Sequence, residues 1–149
     1  MFALVAVPVL AYAPSASQNS LTIRPMDNYV DGSYRVSDVQ RFSQAYQASR
    51  YQENVALGAE IALTRGITGS EWECLYNLGM RESGWNSNAQ NRTSTAYGLF
   101  QFLDSTWAGT GYQKSSNPTI QIQAGLVYIE NRYGTPCKAY YWQLAHNWY

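Results

Sequence analysis

The chain has 149 residues, enough for one domain with a real hydrophobic core. Its ten basic and ten acidic side chains cancel, which excludes the basic footprint that nucleic-acid binding requires. His146 is the only histidine and Cys74 and Cys137 the only cysteines, so no Cys/His zinc cluster can form and no metal or cofactor is expected.

Residues 1–13 are an apolar run, too short for a bilayer span of about 20 residues. Ala11-Tyr12-Ala13 has the small-x-small form of a signal-peptide cleavage site. However, no Lys or Arg precedes Arg24, and Pro14 would follow the cut. A cleaved signal, a membrane-seeking arm, a packing segment of a larger particle and an unnatural chain start all stay open, with export favoured. Ser15 to Ser33 read as an extended linker. The expected division is therefore an N-terminal segment and linker over residues 1–33 and a domain over 34–149, its core within 54–149 and preceded by a helical extension.

Val36 to about Arg65 reads as helix, with Val39, Phe42, Tyr46, Val55 and Ile61/Ala62 roughly periodic, a break near Asn54 or Gly58, and Gly66 as the stop. A second helix follows, with Ser70 as N-cap and Glu73 at the capping-box position. Trp72, Leu75, Tyr76 and Gly79 keep the i, i+3, i+4, i+7 spacing of one buried face. Glu82 falls at the edge of that face, one turn beyond Leu78. A carboxyl half-buried there should have a raised pKa, because desolvation disfavours its charged form, and a general acid needs such a shift.

Beyond Glu82 the chain is depleted of charge, with Arg92 alone before Asp104. Trp85, Tyr97, Phe100, Phe102 and Trp107 are side chains that can stack on sugar rings. Asn86, Asn88, Gln90, Asn91 and Gln101 can bond to hydroxyl and acetamido groups. An acid beside aromatic and neutral amide side chains suits a carbohydrate site. Asp104-Ser105-Thr106-Trp107 then opens a short helix, and Asn117-Pro118 starts one that runs to about Tyr133. Gly134-Thr135-Pro136 breaks it, and Cys137 to Leu144 forms the last. Thr95 to Gln101 admits a small β-hairpin. The expected fold is mainly α, with the site in a groove between helices. Cys74 and Cys137 are either a bridge or two buried thiols, since spacing does not settle pairing.

Glu82-Ser83-Gly84-Trp85-Asn86, Ala89-Gln90-Asn91, Thr93 to Phe102 and Ser105-Thr106-Trp107 together resemble the lytic transglycosylase family, the soluble-lytic, goose-lysozyme-like group. The versions carried by bacteriophages and prophages are most similar. Ile120 to Ile129, Arg132 to Pro136 and Ala145-His146-Asn147-Trp148-Tyr149 resemble the later helices and end of that family. The resemblance covers about Asn54 to Tyr149 and is specific over Glu82 to Trp107. It implies a lysozyme-like helical domain that cleaves peptidoglycan glycan strands at the MurNAc–GlcNAc bond, with Glu82 as sole acid and base and 1,6-anhydro ends as product.

By the same resemblance Ser83 orients the loop and Gln101 lines a sugar subsite. Tyr97, Phe100 and Trp107 are subsite walls or core, and Tyr128 on the next helix reaches toward Glu82. Many members carry an Ala-Tyr-Asn motif whose tyrosine bonds to the acid, whereas Ala139-Tyr140-Tyr141 and Ala145-His146-Asn147 match it imperfectly. The substrate implies an extracytoplasmic or virion-associated protein, with the N-terminal segment as a link to virion or membrane components. A wall enzyme exposed to oxidising surroundings favours the Cys74–Cys137 bridge, and the missing ligands argue against a zinc-dependent wall amidase. Two other readings remain: a water-using muramidase that recruits a second carboxylate such as Asp104, and a non-enzymatic wall-binding or virion structural subunit.

Overall fold

A computed structural model describes residues 36–149, with side chains from Gln40 onward. The expectations for residues 1–33 and for the Val39 side chain lie outside the described residues. Five helices follow one another: α1 (Val36–Thr64), α2 (Gly69–Ser83), α3 (Asp104–Thr110), α4 (Pro118–Tyr133) and α5 (Pro136–His146). The hairpin expected near Thr95 to Gln101 does not form. Two isolated bridges, Gln90 with Tyr97 and Tyr97 with Phe102, stand in its place.

The expected break in α1 is absent as well. Asn54 and Gly58, the residues that pointed to it, are both docking points for Trp85. The Asn54 Nδ2 donates to the Trp85 carbonyl at 2.9 Å, and a Cβ at position 58 would lie 2.6 Å from the Trp85 ring. Glycine is there so that the helix can approach a large ring, which overrides its weak helix propensity. Toward its start α1 makes little use of its apolar residues. Phe42 and Tyr46, part of the roughly periodic apolar pattern, are 67% and 57% exposed.

α2 also begins differently from the expectation. Thr68 occupies the N-cap in an extended conformation without a side-chain cap bond, so Ser70 is already helical and the Ser70–Glu73 capping box is not made. The neighbouring acid Glu71 serves another helix instead, its Oε2 accepting from the Cys137 backbone N–H at 2.9 Å in the first turn of α5, where an acceptor is favoured by the helix dipole. α4 and α5 start as Asn-Pro and Thr-Pro predict. The Asn117 side chain accepts from Thr119 N–H and the Thr135 side chain from Lys138 N–H, with proline in the first turn of each. α5 is longer than expected at both ends.

The core gathers around Leu75 and Leu78 of α2, Trp85 and Leu99 of the connecting loop, and Ile122 and Ile129 of α4, all at most 1% exposed. Burial of side chains of this size stabilises by about 1.5–3 kcal/mol each. α2 and α5 pack closely and are joined by a disulfide between Cys74 and Cys137, with Cα atoms 4.9 Å apart. The end of α2, the long α2–α3 loop and the inner face of α5 are thereby held to one another.

Candidate active site

The last turn of α2 ends at Gly84, which takes a left-handed conformation, with φ 61°, while its N–H and that of Trp85 return to the carbonyls of Met80 and Gly79. This turn leaves Glu82 and Ser83 on the final helical residues and sends Trp85, itself at φ 56°, into the core. The Trp85 ring lies against Gly79, where a Cβ would come within 2.8 Å of it, and its Nε1 donates to the Tyr76 carbonyl at 2.9 Å.

The loop beyond is fixed by two polar side chains. Ser83 Oγ donates to the Leu99 carbonyl at 2.8 Å and accepts from Asn86 N–H at 3.1 Å. Gln121, reaching in from α4 and 2% exposed, accepts from Leu99 N–H at 2.7 Å and donates to the carbonyls of Ser87 and Ser115, each at 2.8 Å. Gly98, at φ 81°, gives that amide its room, since a Cβ there would meet Gln121 Oε1 at 2.5 Å. Both backbone groups of Leu99 are thus satisfied, and the loop is held rigidly over the end of α2.

Glu82 is half-buried on this floor. Its Oε1 accepts from Gln143 Nε2 at 2.8 Å, and Gln143 Oε1 accepts from Arg81 Nε at 2.6 Å. Burial pushes the Glu82 carboxyl above its ordinary pKa, while the Gln143 bond and the Arg81 charge pull the other way without overcoming it. Beside it stands a cluster of rings. Tyr149 lies with its centroid 5.7 Å from Tyr128, 6.2 Å from Tyr133 and 6.3 Å from Phe102, and its hydroxyl donates to the Phe100 carbonyl at 3.3 Å. Burial, then the Glu82 charge, drive the Tyr149 hydroxyl well above its ordinary pKa. Tyr133 is pushed up to about 12, chiefly by burial. Both phenols are held in the neutral form.

Several expected sugar contacts are placed elsewhere. Phe100 and Trp107, each 3% exposed, are core residues and not subsite walls. The Phe100 ring fills the space left by Gly125, where a Cβ would meet it at 2.4 Å, and Trp107 packs edge-on against Phe102. Tyr128 does not supply the partner of Glu82. Its hydroxyl accepts from an Arg132 guanidinium nitrogen at 2.9 Å, and the bond to the acid comes from Gln143. Gln101 is left-handed, with φ 49°, and its Nε2 is engaged by the carbonyls of Ala89 and Gly98 at 3.1 and 2.9 Å. Tyr97 is partly exposed and carries the Lys114 ammonium over its ring, 5.6 Å from the centroid. Asp104 is exposed and paired with Lys114 at 2.7 Å.

Gln143, Gln121, Arg81 and Tyr149 are the residues that sequence reasoning misses. A signal for the first exists. Ala139 and Gln143 are four residues apart and share the buried face of α5, so a polar residue interrupts an apolar stripe. Between α3 and α4 an open groove of about 560 Å³, lined by Ser105, Thr106, Gly109, Tyr128, Asn131 and Arg132, offers hydroxyl, amide and guanidinium groups and no carboxylate. Among the described residues no group of three or more His, Cys, Asp or Glu is placed to hold a metal ion.

The site therefore combines a lone raised carboxyl, an amide that bonds to it and a rigid charge-poor loop. The family model for the transglycosylase SLT domain matches residues 63–147, a span that contains Glu82, Gln143 and the loop. Neither a curated protein nor a solved structure matches the chain.

Proposed function

Because the chain belongs to the transglycosylase SLT domain family, whose members cleave peptidoglycan, we propose that it is a lytic transglycosylase that cuts the MurNAc-β-1,4-GlcNAc bond and leaves 1,6-anhydro-MurNAc ends. The observation that carries this reading is the isolation of Glu82 from other acids among the described residues, where Arg81 is the charge that acts on it. A two-carboxylate hydrolase sets its pair about 5–9.5 Å apart, for a covalent intermediate or for a bound water. The loop after Glu82 holds no second acid before Asp104, and Asp104 is exposed and occupied by Lys114. A reaction in which one carboxyl acts twice fits that inventory.

In the first step protonated Glu82 gives its proton to the glycosidic oxygen as the bond from the muramic C1 to that oxygen breaks. The muramic acetamido group stabilises the sugar cation. In the second, the sugar's own 6-hydroxyl oxygen bonds to C1 and passes its proton to the Glu82 carboxylate, which restores the acid without consuming water. The pKa of Glu82, raised by burial, favours the protonated form from which the first step starts. Ser83 and Gln121 keep the loop in register with the acid, and partly exposed Tyr97 and Gln101 are the sugar contacts that remain from the sequence reading. Similarity of the Glu82–Trp107 stretch to bacteriophage versions supports local opening of the wall during entry as the setting, outside the cytoplasmic membrane or on a virion. No helix among the described residues is long and apolar enough to cross a membrane.

Mass spectrometry of muropeptides released from purified peptidoglycan tests the reaction. Products lighter by one water, about 18 Da, than reducing-end muropeptides are expected from intramolecular attack. Reducing ends would assign the acceptor to water and require a second carboxylate. No release at all would move the protein to a wall-binding or structural role.

A further inference from the structure

We infer that Gln143 is a positioning residue that biases the catalytic proton toward one oxygen of Glu82, and that Arg81 enforces this by fixing which way the Gln143 amide faces. The inference rests on the reading of Glu82 as the acid and goes beyond it. A primary amide can present either its carbonyl or its NH2 to a neighbour, and the two ends are nearly equal in size. Here the choice is forced from one side. The Arg81 Nε–H can only donate, so at 2.6 Å it takes the amide carbonyl. That turns the NH2 toward Glu82, where it donates to Oε1 at 2.8 Å. Gln143 is 5% exposed, so water does not compete easily for either end.

The consequence concerns the acid itself. A proton on Oε1 would turn the oxygen that accepts from Gln143 Nε2 into a hydroxyl, a weaker acceptor than a carbonyl or carboxylate oxygen, so the held amide disfavours it there. The proton is therefore favoured on Oε2, to which no hydrogen bond is made from the described residues, and Oε2 is the oxygen left to face a glycosidic bond. As the proton leaves, Oε1 gains negative charge and the Gln143 bond becomes charge-assisted, about twice as strong as its neutral form. The amide thus stabilises the carboxylate that forms in the first step and that accepts the proton in the second. Arg81 contributes from outside, on exposed surface, by denying the amide its other orientation.

The test uses Gln143→Met, which keeps the length of the side chain and removes the donor, and Arg81→Met, an exposed substitution that removes the orienting group. The folded state of each is checked by thermal unfolding. On peptidoglycan both variants should lose about 10-fold or more in kcat with KM within about twofold, the pattern of an interaction used mainly in the transition state. The Glu82 carboxyl is followed separately by its 13C side-chain resonance. Its titration midpoint should rise in Gln143→Met, because a donor that favours the charged form is gone, and the alkaline limb of kcat/KM should move up with it. In Arg81→Met the side-chain NH2 signals of Gln143 should show a second orientation or exchange broadening. An unmoved Glu82 midpoint in Gln143→Met would overturn the inference, as would unchanged kcat and Gln143 amide signals in Arg81→Met. If the parent protein cleaves no peptidoglycan the proposed reaction fails, while the titration and the amide signals still decide this point.

Discussion

Glu82 combines two opposed environments: apolar burial that raises its pKa, and an amide and a guanidinium that lower it by a smaller amount. A carboxyl whose folded pKa lies above its unfolded value binds more protons when folded. Stability therefore declines as pH rises from the ordinary carboxyl range through the raised folded pKa, and the charged group is a burden at neutral pH. Glu82→Gln removes that burden and can still accept from Gln143 Nε2. The variant should lose about 100-fold or more in activity yet melt at the same or a higher temperature than the parent at neutral pH, with the advantage shrinking toward acid. Calorimetry across pH beside a peptidoglycan assay checks both halves, and a variant that clears walls as well as the parent would remove Glu82 from the mechanism. At this scale the half-buried place of Glu82 was legible because an acid falls at the edge of an apolar helical face. Gln143 was not, since its contact spans 61 residues of chain and depends on how α5 is rotated against α2. Phe100 and Trp107 stayed open between wall and core in the sequence because composition shows a ring and not whether its face meets water or core.

α2 and α5 carry the two halves of the latch, Glu82 with Arg81 on one helix and Gln143 on the other, and both helices are tied at their opposite ends by Cys74–Cys137 and by Glu71 on the Cys137 N–H. A bridge closing a loop with a sequence separation of 63 residues stabilises by about 4 kcal/mol in the chain-entropy model. Reduction, or paired Cys74→Ser and Cys137→Ser, should lower the melting temperature by several degrees. It should reduce activity in parallel, measured with and without dithiothreitol at a temperature where the reduced protein stays folded. Ser83→Ala is the finer probe. It cuts the bond to the Leu99 carbonyl and should cost about 1 kcal/mol, read by denaturant unfolding, with the larger loss appearing in kcat as the loop shifts from the acid. Helix types and order were legible from periodicity and from the proline and glycine stops. The unbroken course of α1 was not, because glycine and asparagine carry the same sequence signature whether they interrupt a helix or admit a ring against it.

Across the whole domain, α1, α2 and the loop meet at Trp85, which is fully buried in slots left by Gly58 and Gly79. Alanine in the middle of a helix would ordinarily add about 1 kcal/mol over glycine. Here its methyl would enter the indole ring, and overpacking of that kind costs about 1–3 kcal/mol. Gly58→Ala and Gly79→Ala should each destabilise the domain, and each should be partly relieved when combined with Trp85→Leu, a non-additivity that urea unfolding of the four proteins in each cycle would measure. The fold class was readable from the sequence, yet the reason for this tryptophan was not, since nothing local says that two glycines 21 positions apart are its mould. For descent the three positions behave as a single character. Losing the tryptophan leaves a void, and enlarging either glycine while it stays crowds the ring, so each single change carries a stability cost. At this crossing paired steps therefore cost less than single ones.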